Sequence, residues 1–305
     1  MLYISLEGLL LTNSSEKRNQ LMFHIILLCV TLCSVFPLAL MIISSFTDEM
    51  SIVRNGYSLF PEQYSLAAYQ YISTSLSRIW RAYQLTVFTT AFGVFVGVTI
   101  MALLAYPLAR PDMPYRKAFV FIVFFVMLFN GGLVPTYILY SRFIVIKNTI
   151  WAQIFPNLLV VAYYVLMLRT FFANTVPFSI IESGQIEGAN EFIIFIQLVV
   201  PISTPVLATV ALFQTIAYWN SWFNGLIYIT DSKLFTVQNI LSRIQMDIQF
   251  LARNDTGSWG PATETLPSET VRMAIAVVAI IPILIIYPFF QRYFTKGLII
   301  GAIKG

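Results

Sequence analysis

The sequence predicts an all-α integral membrane protein with six transmembrane helices. Of its 305 residues, 58% are hydrophobic and only 10% are charged, whereas a soluble domain carries about 25% charged residues. The apolar residues are also collected into long runs, and about 20 apolar residues cross the hydrocarbon core as a helix. The net charge of +4 is too small to suggest nucleic-acid binding. It fits basic loops beside an anionic leaflet.

The chain begins with a polar lead at residues 1–20, and Leu21–Phe46 is the first predicted span. This run is longer than the apolar core of a secretory signal peptide and has no clear cleavage site, which favours an uncleaved span. His24, at its entry, is expected to be an interfacial residue rather than a proton relay. Cys29 and Cys33 are expected to act as small apolar residues rather than as a disulfide or metal site.

The second predicted span, Ala82–Ala109, follows a polar outer loop over residues 47–81. Gly93 and Gly97 within it have the G-x-x-x-G spacing, which permits two helices to approach closely. A short basic turn at residues 110–117 separates this span from the next.

The third and fourth predicted spans both contain polar residues. Ala118–Tyr140 includes an Asn-Gly-Gly segment that begins at Asn130, and Pro135 follows it. These residues are expected to loosen the helix and free some backbone N–H and C=O groups. Inside a membrane such groups are tolerated only where protein or a water-filled cavity provides hydrogen-bond partners. The fourth span, Ile150–Leu168, contains Asn157.

The C-terminal part of the chain contains two further predicted spans. The fifth, Ile202–Thr230, carries the segment YWNSWFN at residues 218–224. A second outer loop, 231–270, leads to the sixth span, Met273–Phe290, and residues 291–305 form a tail. The six-span domain is therefore predicted to cover residues 21–290.

The distribution of basic residues predicts that both termini lie in the cytoplasm. An even number of spans places both ends of the chain on one side of the membrane. The total counts of Lys and Arg on the two sides do not decide the orientation, but basic residues concentrated in short loops mark the inner side. The compact basic turn at 110–117 therefore predicts an N-in, C-in topology.

Several kinds of chemistry have no signature in the sequence. It contains no G-x-x-x-x-G-K-[ST] motif for binding ATP phosphates and no H-E-x-x-H or paired-cysteine motif for a metal. Apart from His24, the predicted span interiors lack the ionisable groups typical of ion-coupled transporters and intramembrane hydrolases. The chain is therefore expected to have no catalytic site or cofactor of its own, and any transport would need an external source of energy.

The polar segment 177–201, between the fourth and fifth spans, has the pattern of two short helices joined by a turn. Ser179 is predicted as the N-cap of the first helix, with Glu182 completing an S-x-x-E capping box. Gly188 is predicted to supply a sharp break, and Asn190 is predicted to cap the second helix. An exposed helix pair between two spans suggests a docking element for a partner protein.

The same segment resembles the cytoplasmic loop of membrane subunits of binding-protein-dependent ABC importers, whose signature is E-A-A-x3-G-x9-I-x-L-P. Glu182, Gly188 and Pro201 occupy the Glu, Gly and Pro positions with intact spacing. Ser183 and Gly184 replace the two alanines. A glycine there would be expected to loosen the helix, because glycine in a helix interior costs up to about 1 kcal/mol relative to alanine.

Three further stretches resemble one branch of this family. The tail QRYFTKGLIIGAIKG, the outer-loop segment GYSLFPEQYSLAAYQY and the YWNSWFN segment are similar to MalG-like sugar permeases, particularly the lipoprotein-linked oligosaccharide permease group of Gram-positive bacteria. The resemblance covers nearly the whole chain. It implies a multi-pass protein of the cell membrane.

The resemblance also implies partners. A second homologous permease subunit would pair with the chain, and two cytoplasmic ATPase subunits would bind ATP and Mg and hydrolyse the ATP. An extracellular lipid-anchored binding protein would deliver an oligosaccharide. The coupling helix would contact an ATPase, and its predicted residues are Glu182, Ser183, Gly184, Glu187, Gly188, Ala189 and Pro201.

A substrate path is predicted from aromatic and amide side chains, because aromatic faces stack on sugar rings and amides bond hydroxyl groups. The alternative is that these side chains serve helix packing. The candidates are Trp219, Asn220, Trp222, Asn224, Asn130 and Asn157.

Two other functions remain open at this stage. The chain could be an ABC importer permease for a solute other than a sugar. It could instead be a non-transporting membrane scaffold that recruits a soluble partner through residues 177–205.

Overall fold

The all-helical fold class is confirmed over the part of the chain that the computed structural model describes. The described residues are 14–74, 76–253, 269–282, 284–285 and 288. Among them, the only β-type pairing is an isolated antiparallel bridge between Thr47 and Tyr64. The described residues fall into two compact units, one drawn from 1–74 with 257–278 and the other from 75–256 with 279–305.

The first unit is built around one long helix. Its helices include α1 (Ser14–Ser45), α2 (Glu49–Asn55) and α3 (Ala67–Thr74). Residues 269–278 of this unit are also helical. The apolar side chains of α1 are largely exposed, as expected of a span that faces lipid. Beyond α1, Asp48 caps α2 by accepting a hydrogen bond from the Met50 N–H, and the Phe46 and Tyr69 rings stack 4.8 Å apart.

The second unit contains most of the described helices. They are α4 (Leu76–Ala109), α5 (Arg116–Leu128), α6 (Leu133–Ile138), α7 (Trp151–Ile154), α8 (Ala162–Thr175), α9 (Phe178–Ile186), α10 (Glu191–Ile194), α11 (Val200–Ile202), α12 (Thr204–Trp219), α13 (Phe223–Tyr228) and α14 (Val237–Arg253). One π-helical turn, Leu139–Phe143, continues α6, and another, Phe195–Val199, joins α10 to α11.

The described helices account for part of the predicted set of spans. Residues 19–45 and 77–109 are each long and apolar enough to cross a membrane. Three bent helix pairs raise the number to five if each pair forms one span. The predicted third span is one of these pairs, bent by 107° at the Asn-Gly-Gly segment. The predicted sixth span, Met273–Phe290, lies partly outside the described residues.

The prediction of Ile150–Leu168 as one continuous span was wrong. The chain there forms only the short α7, leaves the helix and enters α8, and Asn157 has a φ of +59° at the break. Side chains from later elements satisfy the exposed carbonyls: Gln214 donates to the Leu158 oxygen at 2.9 Å, and Asn224 donates to the Pro156 oxygen at 3.0 Å. Irregular backbone within a membrane protein requires such partners.

Two other element boundaries also need correction. The fifth predicted span, Ile202–Thr230, is α12 followed by a separate α13, and the chain bends by 82° between α11 and α12. The segment 231–270, predicted as an outer loop, contains α14, while residues 254–268 lie outside the described part. Asn239 in α14 is buried, and its Oδ1 accepts a hydrogen bond from Gln153 Nε2 at 2.7 Å. Tertiary contacts of this kind stabilise α14. The polar composition of the segment had predicted a loop without a helix.

The core of the second unit forms where α4 packs against α8 and α12. Met101, Ala105 and Leu108 of α4 meet Val165 and Leu168 of α8, and all five side chains are almost fully buried. Small and branched residues on these faces permit close helix contact. The end of α4 is thereby fixed beside the start of the segment 177–201.

The G-x-x-x-G spacing in α4 serves close packing, as predicted. A Cβ added at Gly93 would lie 2.7 Å from the Cε1 atom of Tyr218, and one at Gly97 would meet the Gln214 amide and the Leu159 carbonyl. The Tyr218 ring cannot easily withdraw, because its hydroxyl donates a 2.9 Å hydrogen bond to the Ile154 carbonyl.

We therefore expect Gly93→Ala to lower the stability of the protein by about 1–3 kcal/mol, the usual cost of overfilling a packed interior. The thermal midpoint of the purified chain in detergent would measure this loss. Gly131→Ala is the matched control, because a Cβ at Gly131 meets nothing within 4 Å. Equal midpoints for the two variants would contradict the packing role of Gly93.

Candidate functional site

We call the segment 177–201 the coupling loop, after its predicted role. It begins with helix α9, which is nine residues long. The capping box predicted at Ser179 and Glu182 was wrong, because Pro177 is the N-cap and its side chain makes no capping bond. The Pro177 carbonyl accepts from the Ile180 N–H at 3.1 Å. Phe178 packs half-buried against the core, so tertiary contact starts the first turn earlier than the predicted cap.

The turn that follows α9 has the predicted geometry. Gly188 has a φ of +80°, a left-handed conformation that glycine adopts without the steric cost of a Cβ. The Ala189 N–H donates to the Gly184 carbonyl at 3.0 Å and closes the end of the helix. Asn190 caps α10 as predicted, because its Oδ1 accepts from the Ile193 N–H at 2.9 Å.

Gly184 has a packing explanation. It is buried, and a Cβ there would lie 3.2 Å from Ile194 Cγ1 and 3.3 Å from Leu198 Cδ1. Glycine therefore allows α9 to lie close against α10 and the π-helical turn. Ser183 is on the exposed side of α9, where its hydroxyl donates to the Ile180 carbonyl at 2.9 Å.

The outward side of α9 combines one large apolar side chain with two acidic ones. Ile186 is 87% exposed, and Glu182 and Glu187 are exposed beside it in the sequence. Farther along the coupling loop, Ala189 is half-buried and Pro201 is exposed in α11. Within the described residues, this side of α9 is not covered by protein.

A group of polar side chains holds the coupling loop to the end of α4. We call it the Arg110 cluster, and its members are Tyr106, Arg110, Asp112, Gln185 and Glu191. The Arg110 guanidinium donates to both Asp112 carboxylate oxygens, at 2.9 and 2.5 Å, and to the Glu191 carboxylate. Tyr106 donates to Glu191 at 2.9 Å, and so does Gln185 from α9.

The Arg110 cluster links the coupling loop to the end of α4. The Arg110 side chain is only 9% exposed, so its cation is held in one geometry by its partners. The hydrogen bonds that Arg110 donates lower the pKa of the Asp112 carboxyl, which keeps this partner ionised. Glu191 thus bonds both to Gln185 of α9 and to Arg110 at the end of α4.

Sequence reasoning missed this cluster. From the sequence, Arg110 was interpreted only as one basic residue of the predicted inner turn. Glu191 was given no role, since it is simply the residue after the predicted cap Asn190. The two residues are 81 positions apart, and no local pattern links them. Their pairing becomes visible only when α4 and the coupling loop are brought together.

The residues predicted for a substrate path lie in different environments. Trp219 is 2% exposed, and its indole N–H donates to the Ala279 carbonyl at 3.2 Å. Asn224 is buried and bonded to the Pro156 carbonyl. Trp222 is 42% exposed, and the exposed Asn220 accepts a 3.4 Å hydrogen bond from Gln238.

The two remaining candidates lie where helices are interrupted. Asn130 accepts a hydrogen bond from the Gly132 N–H at 2.9 Å between α5 and α6, and Asn157 lies at the break before α8. Trp219 also lines a mostly apolar groove of about 670 Å³ between α4 and α12. The described residues contain no group of three or more His, Cys, Asp or Glu side chains that could hold a metal ion.

Comparison with known proteins identifies the family, although no family model matches the chain. The chain is 34% identical over 288 residues to the polygalacturonan/rhamnogalacturonan transport system permease protein YtcP of Bacillus subtilis, covering 94% of this chain and 98% of that protein. A crystal structure of a bacterial ABC transporter that imports the acidic polysaccharide alginate matches with a TM-score of 0.77 and 26% identity, over 93% of this chain and 99% of the other. This chain belongs to the family of ABC sugar-importer permeases.

A further relative of this permease is protein LplC of Bacillus subtilis, 31% identical over 272 residues, or 89% of this chain and 90% of that protein. These matches confirm the family that the coupling loop, outer loop and tail predicted.

Proposed function

We propose that this permease moves an oligosaccharide into the cytoplasm as the membrane subunit of an ATP-driven importer. The observation that carries the proposal is the exposed helix α9, fixed to the end of α4 by the Arg110 cluster. The names of the relatives support a sugar substrate and favour transport over a scaffold. They include an arabinooligosaccharides transport permease and the polygalacturonan/rhamnogalacturonan permease.

The proposed topology has six spans with both termini in the cytoplasm. The two long helices support the first two of these spans. The pair α5 and α6, then α8, then α12 would form the third, fourth and fifth spans, and residues 273–290 would form the sixth. The basic turn at 110–117 would lie on the inner side with the coupling loop. The outer loops 47–81 and 231–270 would face the delivered sugar.

In the proposed mechanism, α9 docks on one of two cytoplasmic ATPase subunits. Ile186 would enter an apolar cleft, while Glu182 and Glu187 would contact its polar rim. ATP and Mg would be bound by the ATPase subunits, and this chain would have no catalytic site of its own. Differential contacts in the ATP-bound and ATP-free states would shift the permease between conformations.

The other proposed partners follow the organisation implied by the family. A second homologous permease would complete the membrane pathway. An extracellular lipid-anchored binding protein would deliver the sugar to the outer loops. The Bacillus relatives support a Gram-positive cell membrane as the location.

Trp222 and Asn224 offer a test of which predicted path residues contact sugar. We expect Trp222→Ala to raise the sugar concentration needed for half-maximal uptake, because its ring is 42% exposed and could stack on a sugar. We expect Asn224→Ala to lower thermal stability instead, by about 1–3 kcal/mol, because it leaves the buried Pro156 carbonyl without its donor. Unchanged uptake kinetics in Trp222→Ala would remove that residue from the path.

Uptake by cells with and without the chain tests the proposed function itself. Labelled oligogalacturonate, arabino-oligosaccharide and a peptide would be supplied to a deletion strain and to the same strain carrying the gene. We expect uptake of at least one oligosaccharide to depend on the chain and on ATP. Loss of peptide uptake alone would favour a non-sugar solute, and undiminished uptake of every compound would reject the transport function.

A further inference from the structure

A groove runs between α5 and α8 on the side of the protein that carries the basic turn. Its volume is about 810 Å³. Its apolar wall includes Val120, Phe121, Phe124 and Leu166. Arg116 and Lys117 also line the groove, and they are the first two residues of α5, so basic side chains lie at one end. The groove is therefore amphipathic along its length.

The basic end of the groove has three cations, Arg116, Lys117 and Arg169. Arg169 is held in place by donating a 3.3 Å hydrogen bond to the Leu108 carbonyl. Among the described residues, none of the three has a carboxylate within ion-pair distance. The nearby acid of the same turn, Asp112, is already bound by Arg110, so the positive charge here is left without an internal counter-ion.

The apolar wall faces outward. No residue of α5 is buried, and Phe121 is 64% exposed. A small soluble anion would gain nothing from such a wall, whereas an amphiphile would bury its chain there. The combination of uncompensated cations and an exposed apolar groove matches a molecule with an anionic head and an acyl tail.

We propose that this groove binds an anionic phospholipid, with the phosphate at Arg116, Lys117 and Arg169 and one acyl chain along Phe124 and Leu166. Its assignment to the inner leaflet rests on the proposed function, since that function places the 110–117 turn in the cytoplasm. The binding itself depends only on the groove.

Binding of defined lipids to the full-length chain in a neutral detergent tests the proposal. Dioleoyl phosphatidylglycerol and dioleoyl phosphatidylcholine would be titrated and the bound lipid counted by native mass spectrometry. We expect the anionic lipid to bind preferentially. The double variant Arg116→Gln/Lys117→Gln should weaken its binding about fivefold for each cation removed.

The matched control is Arg54→Gln/Arg142→Gln, which removes the same formal charge from two exposed positions outside the groove. It should keep the preference for phosphatidylglycerol. Equal loss in both double variants would mean that net charge alone attracts the lipid, and this would overturn the site. A thermal melt of each variant checks that the chain is folded.

The apolar half is tested separately by Leu166→Trp, which fills the groove without changing charge and should reduce phosphatidylglycerol binding. Inorganic phosphate should not displace the lipid. Displacement by inorganic phosphate at millimolar concentration, or equal binding of the two lipids, would reject a phospholipid site. The lipid assay uses the chain without partners or sugar, so its result does not depend on transport. If the chain failed to transport sugar but still preferred phosphatidylglycerol, the proposed function would be refuted and the lipid site would stand.

Discussion

Replacing Arg110 with glutamine is expected to remove most ATP-driven uptake while ATP hydrolysis by the assembled importer continues. The substitution deletes the cation that joins Asp112 and Glu191. Of the hydrogen bonds that the end of α4 makes to Glu191, the one from Tyr106 remains. A hydrogen bond to a charged group contributes about 1.5–3 kcal/mol. A loss of this size corresponds to about tenfold or more in the coupled rate.

The experiment compares sugar uptake and ATP hydrolysis in membrane vesicles. Glu191→Gln leaves Arg110 paired with Asp112 and removes only the charge on the loop side, so it should reduce uptake without unfolding the chain. Arg142→Gln is the matched control, because Arg142 is exposed and outside the cluster. Full uptake by both Arg110→Gln and Glu191→Gln, at normal abundance in the membrane, would exclude the cluster from coupling.

Replacing Gly188 with valine is expected to uncouple ATP hydrolysis from transport. The φ of +80° costs an L-residue about 1–2 kcal/mol, and a β-branched side chain more. A Cβ at this position meets nothing within 4 Å, so the cost comes from the backbone alone. The turn is expected to relax to a negative φ and carry α9 away from its position beside α10.

The readout is the number of sugars moved per ATP hydrolysed. Gly188→Asn should retain more of this ratio, because asparagine tolerates the left-handed region better than valine. Gly56→Val is a matched control, since Gly56 has a φ of +77° with open space around its Cβ position but lies in the predicted outer loop, away from the coupling loop. It should leave the ratio unchanged. A normal ratio in Gly188→Val, together with normal binding of the ATPase, would refute the role of this turn.

Local sequence patterns were sufficient for features that depend on neighbouring residues. The apolar runs predicted an all-helical membrane protein, and the Asn-Gly-Gly segment predicted the break in the third span. Gly188 and Asn190 predicted the turn and cap of the coupling loop, because a left-handed φ and an N-cap bond involve residues only a few positions apart. The spacing of Glu182, Gly188 and Pro201 was enough to indicate the family.

The limits of the sequence appear where a distant side chain determines the local structure. The fourth span was predicted as one helix because its residues are apolar, yet its backbone leaves the helix where Gln214 and Asn224 can bond the released carbonyls. The capping box at Ser179 was wrong for a similar reason, since contact of Phe178 with the core starts α9 earlier.

The sequence by itself therefore determined the membrane class, the family and the turn of the coupling loop. Only the tertiary structure decided how that loop is attached. Arg110 and Glu191 meet because the packing of α4 against α8 brings the end of α4 beside α10, and the buried guanidinium requires carboxylate partners wherever the fold supplies them. The tertiary structure also explains Gly184. The space where its Cβ would lie is crowded by Ile194 and Leu198 rather than by α9 itself, so glycine is needed there for close packing.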